Sequence, residues 1–318
     1  MNQTKKKNPL KRLLSMRGMG QVVTVTIGLI VLLVAFALIN PNFWSPTNRT
    51  NLLRQIAPIL IIGIAQSYVL ITGNIDLSIG SVVGMSTMVA ATLMSKGIMS
   101  PIPALLVTLL CCLLIGVLNG LLVAKFKLPP FIATLGTMTV ARGIAQLVNG
   151  NYNTDSIMKF YPEAAQTFKN VFYYGKTLGL YNGIWIAIIL WIVFNFLLSK
   201  TRTGRYIYAT GSNIDAARLS GVNVVSTTVI AYVVSAFCSF VVGIITCATV
   251  GQGTMDAGNS YEMYAVAASV IGGVSTLGGQ GILLGTVVGA AIWGTLQNGL
   301  QFAGAPVAIL SLIHISEP

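Results

Sequence analysis

Apolar residues come in nine stretches: 21–40, 56–72, 78–94, 103–124, 131–148, 183–199, 226–247, 262–275 and 281–302. A helix crossing the hydrocarbon core takes about twenty residues, with a range of about 17–25. Most of the stretches meet that length. The stretch 78–94 is marginal and 262–275 is too short alone, and both adjoin glycine-rich breaks. The pattern predicts an all-α polytopic membrane protein of nine transmembrane helices, some broken within the membrane. The first stretch is longer than the roughly 7–15-residue core of a signal peptide, and no small-x-small cleavage site follows it. It reads as a retained helix.

Two glycine-rich segments look alike. Residues 73–85 read GNIDLSIGSVVGM and 272–288 read GGVSTLGGQGILLGTVV. Each joins two apolar stretches, which predicts an internal repeat with a solute pathway at the repeat interface. Close helix packing on small residues is the other reading, and the two are compatible.

A polar run at 200–225, KTRTGRYIYATGSNIDAARLSGVNVV, sits between two strongly apolar stretches. Ser212 and Asp215 match the S-x-x-[DE] capping box. Ala216, Ala217, Arg218 and Leu219 follow as strong helix formers, and Gly221 fits a left-handed stop. The expected helix has about eight residues and is about 12 Å long. So short a helix is marginal in water. It needs a docking surface, on its own membrane domain or in another protein's groove.

Composition agrees with lipid as the solvent. The chain has 318 residues, 54% hydrophobic and 8% charged, where a soluble domain carries about 25% charged residues. The net charge of +12 is a topology signal rather than a sign of nucleic-acid binding. With the N-terminus inside, twelve Lys and Arg face the cytoplasm and six face outward, with Arg142 inside a stretch. That bias sets the orientation. Residues 1–20 then form a basic cytoplasmic terminus, 21–310 the transmembrane domain, and 149–182 the largest external loop. The loop's Tyr152, Phe160, Tyr161, Phe172, Tyr173 and Tyr174 read as interfacial anchors or as a surface for an external partner.

Candidate chemistry is sparse. Asp76 is the only acid in the first 154 residues. It reads as a cap for the helix that follows, or as a lining group of a polar pathway. Arg142 reads as a snorkelling side chain, a partner for an acid, or a contact for substrate hydroxyls. Glu262 reads as interfacial. The cysteines Cys111, Cys112, Cys238 and Cys247 all lie in apolar stretches without a CxxC, so neither a disulfide framework nor a metal site is expected. There is no GxxxxGK[ST], HExxH or GxSxG motif. No catalytic residue, cofactor or metal is predicted, and the chain is not expected to be an enzyme.

Four ordered segments carry a resemblance: ITGNIDLSIGS (71–81), GVLNGLLVAKFKLPPFIATLGTM (116–138), TRTGRYIYATGSNIDAARLSGVNV (201–224) and AASVIGGVSTLGGQGILLGT (267–286). The chain resembles the permease subunits of bacterial ABC importers for ribose, xylose, galactosides and related sugars. The resemblance implies a bacterial cytoplasmic-membrane protein that translocates a monosaccharide or polyol. It implies a second permease chain as partner in a homodimer, a periplasmic or lipid-anchored sugar-binding protein, and a cytoplasmic ABC ATPase that binds the ATP. The ATPase would drive the permease through a coupling helix comprising Gly211, Ser212, Asn213, Asp215, Ala216, Ala217, Arg218 and Gly221. Asp76, Ser78, Asn119, Thr134 and Arg142 are the candidate pathway residues.

Asn74 stands where the family usually has a glycine, and Tyr264 near where it has an aspartate. The family continues past residue 310 into one more helix, a tenth. SLIHISEP (311–318) fits neither helix nor loop and resembles translated adapter sequence, so a truncated reading frame is expected. An ion-coupled secondary transporter is the alternative function. It would share the broken helices but would want more intramembrane carboxylates. A membrane scaffold that carries no solute is the third reading.

Overall fold

The computed structural model describes residues 19–304, which are mostly helical. Most of the basic terminus and the whole of the tail 311–318 lie outside the described residues. Twelve helices follow in order: α1 (Met19–Ile39), α2 (Pro46–Ile71), α3 (Ile79–Ser95), α4 (Pro101–Ala124), α5 (Pro130–Leu147), α6 (Pro162–Lys169), α7 (Asn182–Lys200), α8 (Arg202–Ser212), α9 (Ile214–Leu219), α10 (Val224–Val250), α11 (Tyr261–Ile271) and α12 (Leu283–Phe302). A helix lies over each apolar stretch. Among the described residues, five helices are long and apolar enough to cross a membrane by length and composition: α1, α2, α4, α7 and α10.

Burial sorts these five into a centre and a rim. The apolar windows of α2 and α10 are 78% and 72% buried, against 11% for α1, 28% for α7 and 33% for α4. Ile27, Ile30, Val31, Val34 and Leu38 on α1 are all exposed, as suits a helix whose surroundings are hydrocarbon. The two central helices touch each other and take matching neighbours: α10 packs on α3 and α4, and α2 packs on α11 and α12. The contacts match in detail. Thr87, ninth residue of α3, donates to the carbonyl of Gly243 on α10 at 3.0 Å. Ser269, ninth residue of α11, donates to the carbonyl of Gly63 on α2 at 2.9 Å. Seven residues before each of those glycines, Ala236 meets Gly116 of α4 and Ile56 meets Gly294 of α12.

Helix ends explain the breaks. After α2, the Gly73 amide bonds the Leu70 carbonyl at 2.8 Å and the Asn74 amide bonds that of Val69 at 3.2 Å. After α11, Gly273 bonds Val270 at 2.9 Å and Val274 bonds Ser269 at 3.0 Å. Both are Schellman stops, which require a left-handed residue; Gly73 has φ +79 and Gly273 φ +89. The two look-alike segments thus share a local geometry, and they also meet, since the Gly279 amide donates to the Ile71 carbonyl at 2.9 Å.

On the opposite side, α10 stops at the left-handed Gly251. Residues 251–260 turn back between α3 and α5 before α11 begins. Residues 153–157 of the loop 149–182 line this segment: Thr154 and Gly253 exchange bonds of 3.0 and 2.8 Å, and the Ile157 amide bonds the Gly251 carbonyl at 3.0 Å. The rest of the loop holds α6, a π-turn (Asn170–Tyr174) and a hairpin of Lys176–Thr177 with Leu180–Tyr181.

The glycine contacts are testable. A methyl group on Gly243 would lie 2.5 Å from Ser86 Cβ, whereas one on Gly28 meets nothing within 4 Å. Gly243→Ala is expected to destabilise the protein by about 1–3 kcal/mol through overpacking, and Gly28→Ala to leave it unchanged. Thermal unfolding of the purified protein in detergent measures both.

Candidate functional site

A buried polar chain starts at the break before α3. Asp76 is 3% exposed. Its Oδ1 accepts from the Ser78 amide at 2.9 Å and the Ser78 hydroxyl at 2.6 Å. Its Oδ2 accepts from Ser235 of α10 at 2.6 Å. Asn119 of α4 donates to the Ser78 hydroxyl at 2.9 Å and accepts from Thr137 of α5 at 2.6 Å. Tyr232 of α10 donates to the Ile75 carbonyl at 3.0 Å. The network therefore ties α10, the break, α4 and α5 together. Ser235 stands eleven residues into α10, about 16 Å at 1.5 Å per residue. A carboxylate at that depth needs strong donors, and Asp76 has three.

The structure changes part of the sequence reading here. The helix begins at Ile79 with Ser78 in the cap position, so Asp76 lies one turn outside it and secures the entry instead of capping it. Thr134 stands apart from the network; its hydroxyl donates to Pro130 of its own helix at 2.8 Å. Thr137, Ser235 and Tyr232 were not among the sequence candidates. Thr137 repeats Thr134 three residues later in the same segment, and that spacing was the available signal. Nothing in the pattern of α10 marks Ser235.

Arg142 does not snorkel. Its guanidinium donates to the carbonyls of Met255 and Ala257 at 3.1 and 3.0 Å, in the segment that turns back between the helices. Irregular backbone within a membrane must find its hydrogen bonds inside the protein, and Arg142 supplies two. Glu262 is not at the rim either: a methyl group on Gly80 of α3 would run into its carboxylate.

The polar run 200–225 forms two helices where one was expected. Gly204, Ile207 and Thr210 give α8 a buried face. Its Tyr208 donates to the Gly281 carbonyl at 2.6 Å, and burial pushes this phenol up to about 12, so it stays a neutral donor. Ser212 is the last residue of α8, and its hydroxyl bonds back to Tyr208 at 2.8 Å. The cap is Asn213, whose Oδ1 accepts from the Ala216 amide at 2.9 Å. The following helix, α9, has six residues. Asn213 outcompetes Ser212 because the amphipathic α8 extends through Ser212. Gly221, at φ +81, ends α9. Ala217 is buried, while Asp215 and Arg218 pair at 3.5 Å on the surface.

This helix pair sits on both breaks of the 72–78 and 272–282 type. A methyl group on Gly211 would collide with the Ile71 carbonyl and approach the Gly279 amide to 2.6 Å. Gly278 packs on the Gly211 carbonyl and on Gly73. Away from the contact, Ile214 is 47% exposed, and Leu219 and Leu277 are each 90% exposed.

A family model described as the permease component of the branched-chain amino acid transport system matches residues 48–315. The chain belongs to this permease family. Among curated relatives, the ribose import permease protein of Haemophilus influenzae is 40% identical over 278 residues, covering 86% of this chain and 84% of the relative. The D-allose transport system permease protein of Escherichia coli is 32% identical over 274 residues, covering 86% and 82%. The galactofuranose transporter permease protein of the same organism is 36% identical over 307 residues, covering 94% and 86%. No solved structure matches the chain. The permease is accordingly a multi-pass membrane transport protein, and the buried network and the helix pair are features of a transport subunit.

Replacing Asp76 by leucine would strand the Ser78 and Ser235 donors, and each buried unsatisfied group costs about 1–3 kcal/mol. We expect Asp76→Leu to lose most of its folded yield in the membrane. Asp76→Asn keeps one acceptor and offers Ser235 a donor, and is expected to retain the greater part of that yield. Quantitative fluorescence-detected size exclusion of the tagged protein distinguishes them.

Proposed function

We propose that this permease is the membrane-spanning subunit of an ATP-binding-cassette importer for a monosaccharide or related polyol in a bacterial cytoplasmic membrane. The names of its relatives support a sugar, and they favour this reading over an ion-coupled transporter. Asp76 adds to that preference: both carboxylate oxygens are engaged by protein donors.

The observation that carries the coupling is the exposed apolar group on the helix pair. Ile214 and Leu219 of α9 and Leu277 of the 272–282 break are exposed, away from the contact that Gly211 makes with both breaks. Apolar side chains grouped at the surface mark a protein interface. We assign this interface to a cytoplasmic ATPase subunit, which would hold the ATP. Gly211, Ser212, Asn213, Asp215, Ala216, Ala217, Arg218 and Gly221 then belong to the coupling unit. A second copy of the permease and an external sugar-binding protein complete the assembly.

The proposed topology puts the N-terminus inside, with nine crossings through α12. The matched contacts of α2, α11 and α12 with α10, α3 and α4 support an inverted internal repeat, paired differently from the two glycine segments. Asp76, Ser78 and Asn119, together with Thr137, would brace the inner half of the pathway; Thr134, one turn before Thr137 on α5, bonds within its own helix, and Arg142 holds the segment that turns back.

Leu219→Asp places a charge on the exposed tip of α9, where no internal contact is lost. We expect it to insert normally and to lose about tenfold or more of its ATPase in pull-downs from the native host, as loss of an interface anchor does. ATP-dependent uptake of labelled D-ribose, D-allose or D-galactose should fall in parallel. A wild-type chain that purifies without any P-loop ATPase would overturn the importer reading.

A further inference from the structure

The segment 251–260 carries polar side chains deep into the protein's membrane zone. Gly80 and Gly84 stand one turn apart on α3, and their missing side chains admit the backbone of Ala257 and Gly258. Gly80 is fifteen residues from Ser95, so Gly258 lies about 22 Å along α3 from its outer end. Arg142, which bonds Met255 and Ala257, is five residues from the end of α5, or about 8 Å. Beside Ala257 and Gly258, Asp256 and Asn259 are exposed, and Arg142 and Glu262 are half-buried.

These side chains differ from the exposed threonines Thr24 and Thr139, whose hydroxyls each bond the carbonyl four residues back, at 3.1 Å in both cases. Lipid tolerates such hydroxyls. Asn259 and Asp256 share one long bond of 3.4 Å. An amide has four hydrogen-bonding positions and a carboxylate about four acceptor sites, so most of their capacity is unused. An ionisable group at membrane depth with unused capacity faces a cavity or a partner, not lipid.

We propose that Arg142, Asp256, Asn259 and Glu262 form a water-exposed wall of the solute pathway that contacts the hydroxyl groups of a neutral polyol or monosaccharide. The inference rests on the permease reading above. Each hydroxyl both donates and accepts, and the wall offers two carboxylates, an amide and a guanidinium to match. Arg142 offsets one of the two negative charges. It also fixes the segment's backbone, so the acceptors stand at defined positions.

Thiol labelling tests the wall without knowledge of the solute. Asn259→Cys and Asp256→Cys are introduced separately, with Leu106→Cys on the exposed apolar face of α4 as the lipid-facing control. A charged, membrane-impermeant methanethiosulfonate is applied to membrane vesicles of the complete transporter. Labelling needs the thiolate, which apolar surroundings suppress, so both wall positions should react at least about tenfold faster than the control. Rates equal to the control at both positions, in protein shown to be inserted, would overturn the proposal. In vesicles from cells that take up D-ribose, saturating D-ribose should slow labelling at position 259 at least about twofold. Labelling that D-ribose leaves unchanged there would overturn the contact with solute. A host that takes up no sugar but still labels the wall would keep the water-exposed path and refute the sugar reading instead.

Discussion

Backbone that leaves the helix inside a membrane has no water to bond, so its amides and carbonyls must be satisfied by the protein. Among the described residues, the packed domain leaves the helix in this way at three places, and each is paired in its own way. Residues 72–78 are held by Asp76, Ser78 and Tyr232. Residues 251–260 are held by Arg142 and the loop residues Thr154 and Ile157. Residues 272–282 are held by Ile71 and Tyr208. The few ionisable groups of the interior therefore serve the breaks first.

The same constraint explains the glycines. A break buried among helices must lie backbone against backbone, and a Cβ is in the way. Gly80 and Gly84 receive one segment, while Gly211, Gly278 and Gly73 meet at another. Small residues are general at membrane helix contacts, but here they collect where irregular chain touches helix. That makes α3 and α11 short and leaves α2 and α10 as the two long, buried helices around which the matched halves pack.

Much of this was legible in the sequence, and the limits follow physical lines. Apolar length located the helices, because bilayer thickness fixes the length of each stretch. The short stretches 78–94 and 262–275 correspond to the shorter apolar helices α3 and α11, of 17 and 11 residues. Side-chain partners were not legible: the roles of Arg142 and Glu262 depend on a segment more than a hundred residues away in the first case and on α3 in the second. The coupling loop failed locally. Ser212 and Asn213 are both good caps, and only the burial of Gly204, Ile207 and Thr210 against the membrane domain extends α8 far enough to choose between them.

The contact of α8 with two breaks also bears on how force would enter the membrane domain of the proposed importer. Long, packed helices such as α2 and α10 transmit displacement but do not readily deform. A break is softer, since it has fewer ladder bonds to lose. Gly211 touches the Ile71 carbonyl, and that carbonyl accepts from Gly279. A push on α8 thus reaches the end of α2 and the 272–282 break together, through backbone atoms with no flexible side chain between them. From Gly73 the chain runs within five residues to Ser78 and the Asp76 network, which joins α4, α5 and α10. A motion delivered at α8 and α9 would in this way be shared among the central helices before it met the solute, which suits a subunit whose own sequence specifies the mechanics more closely than the cargo.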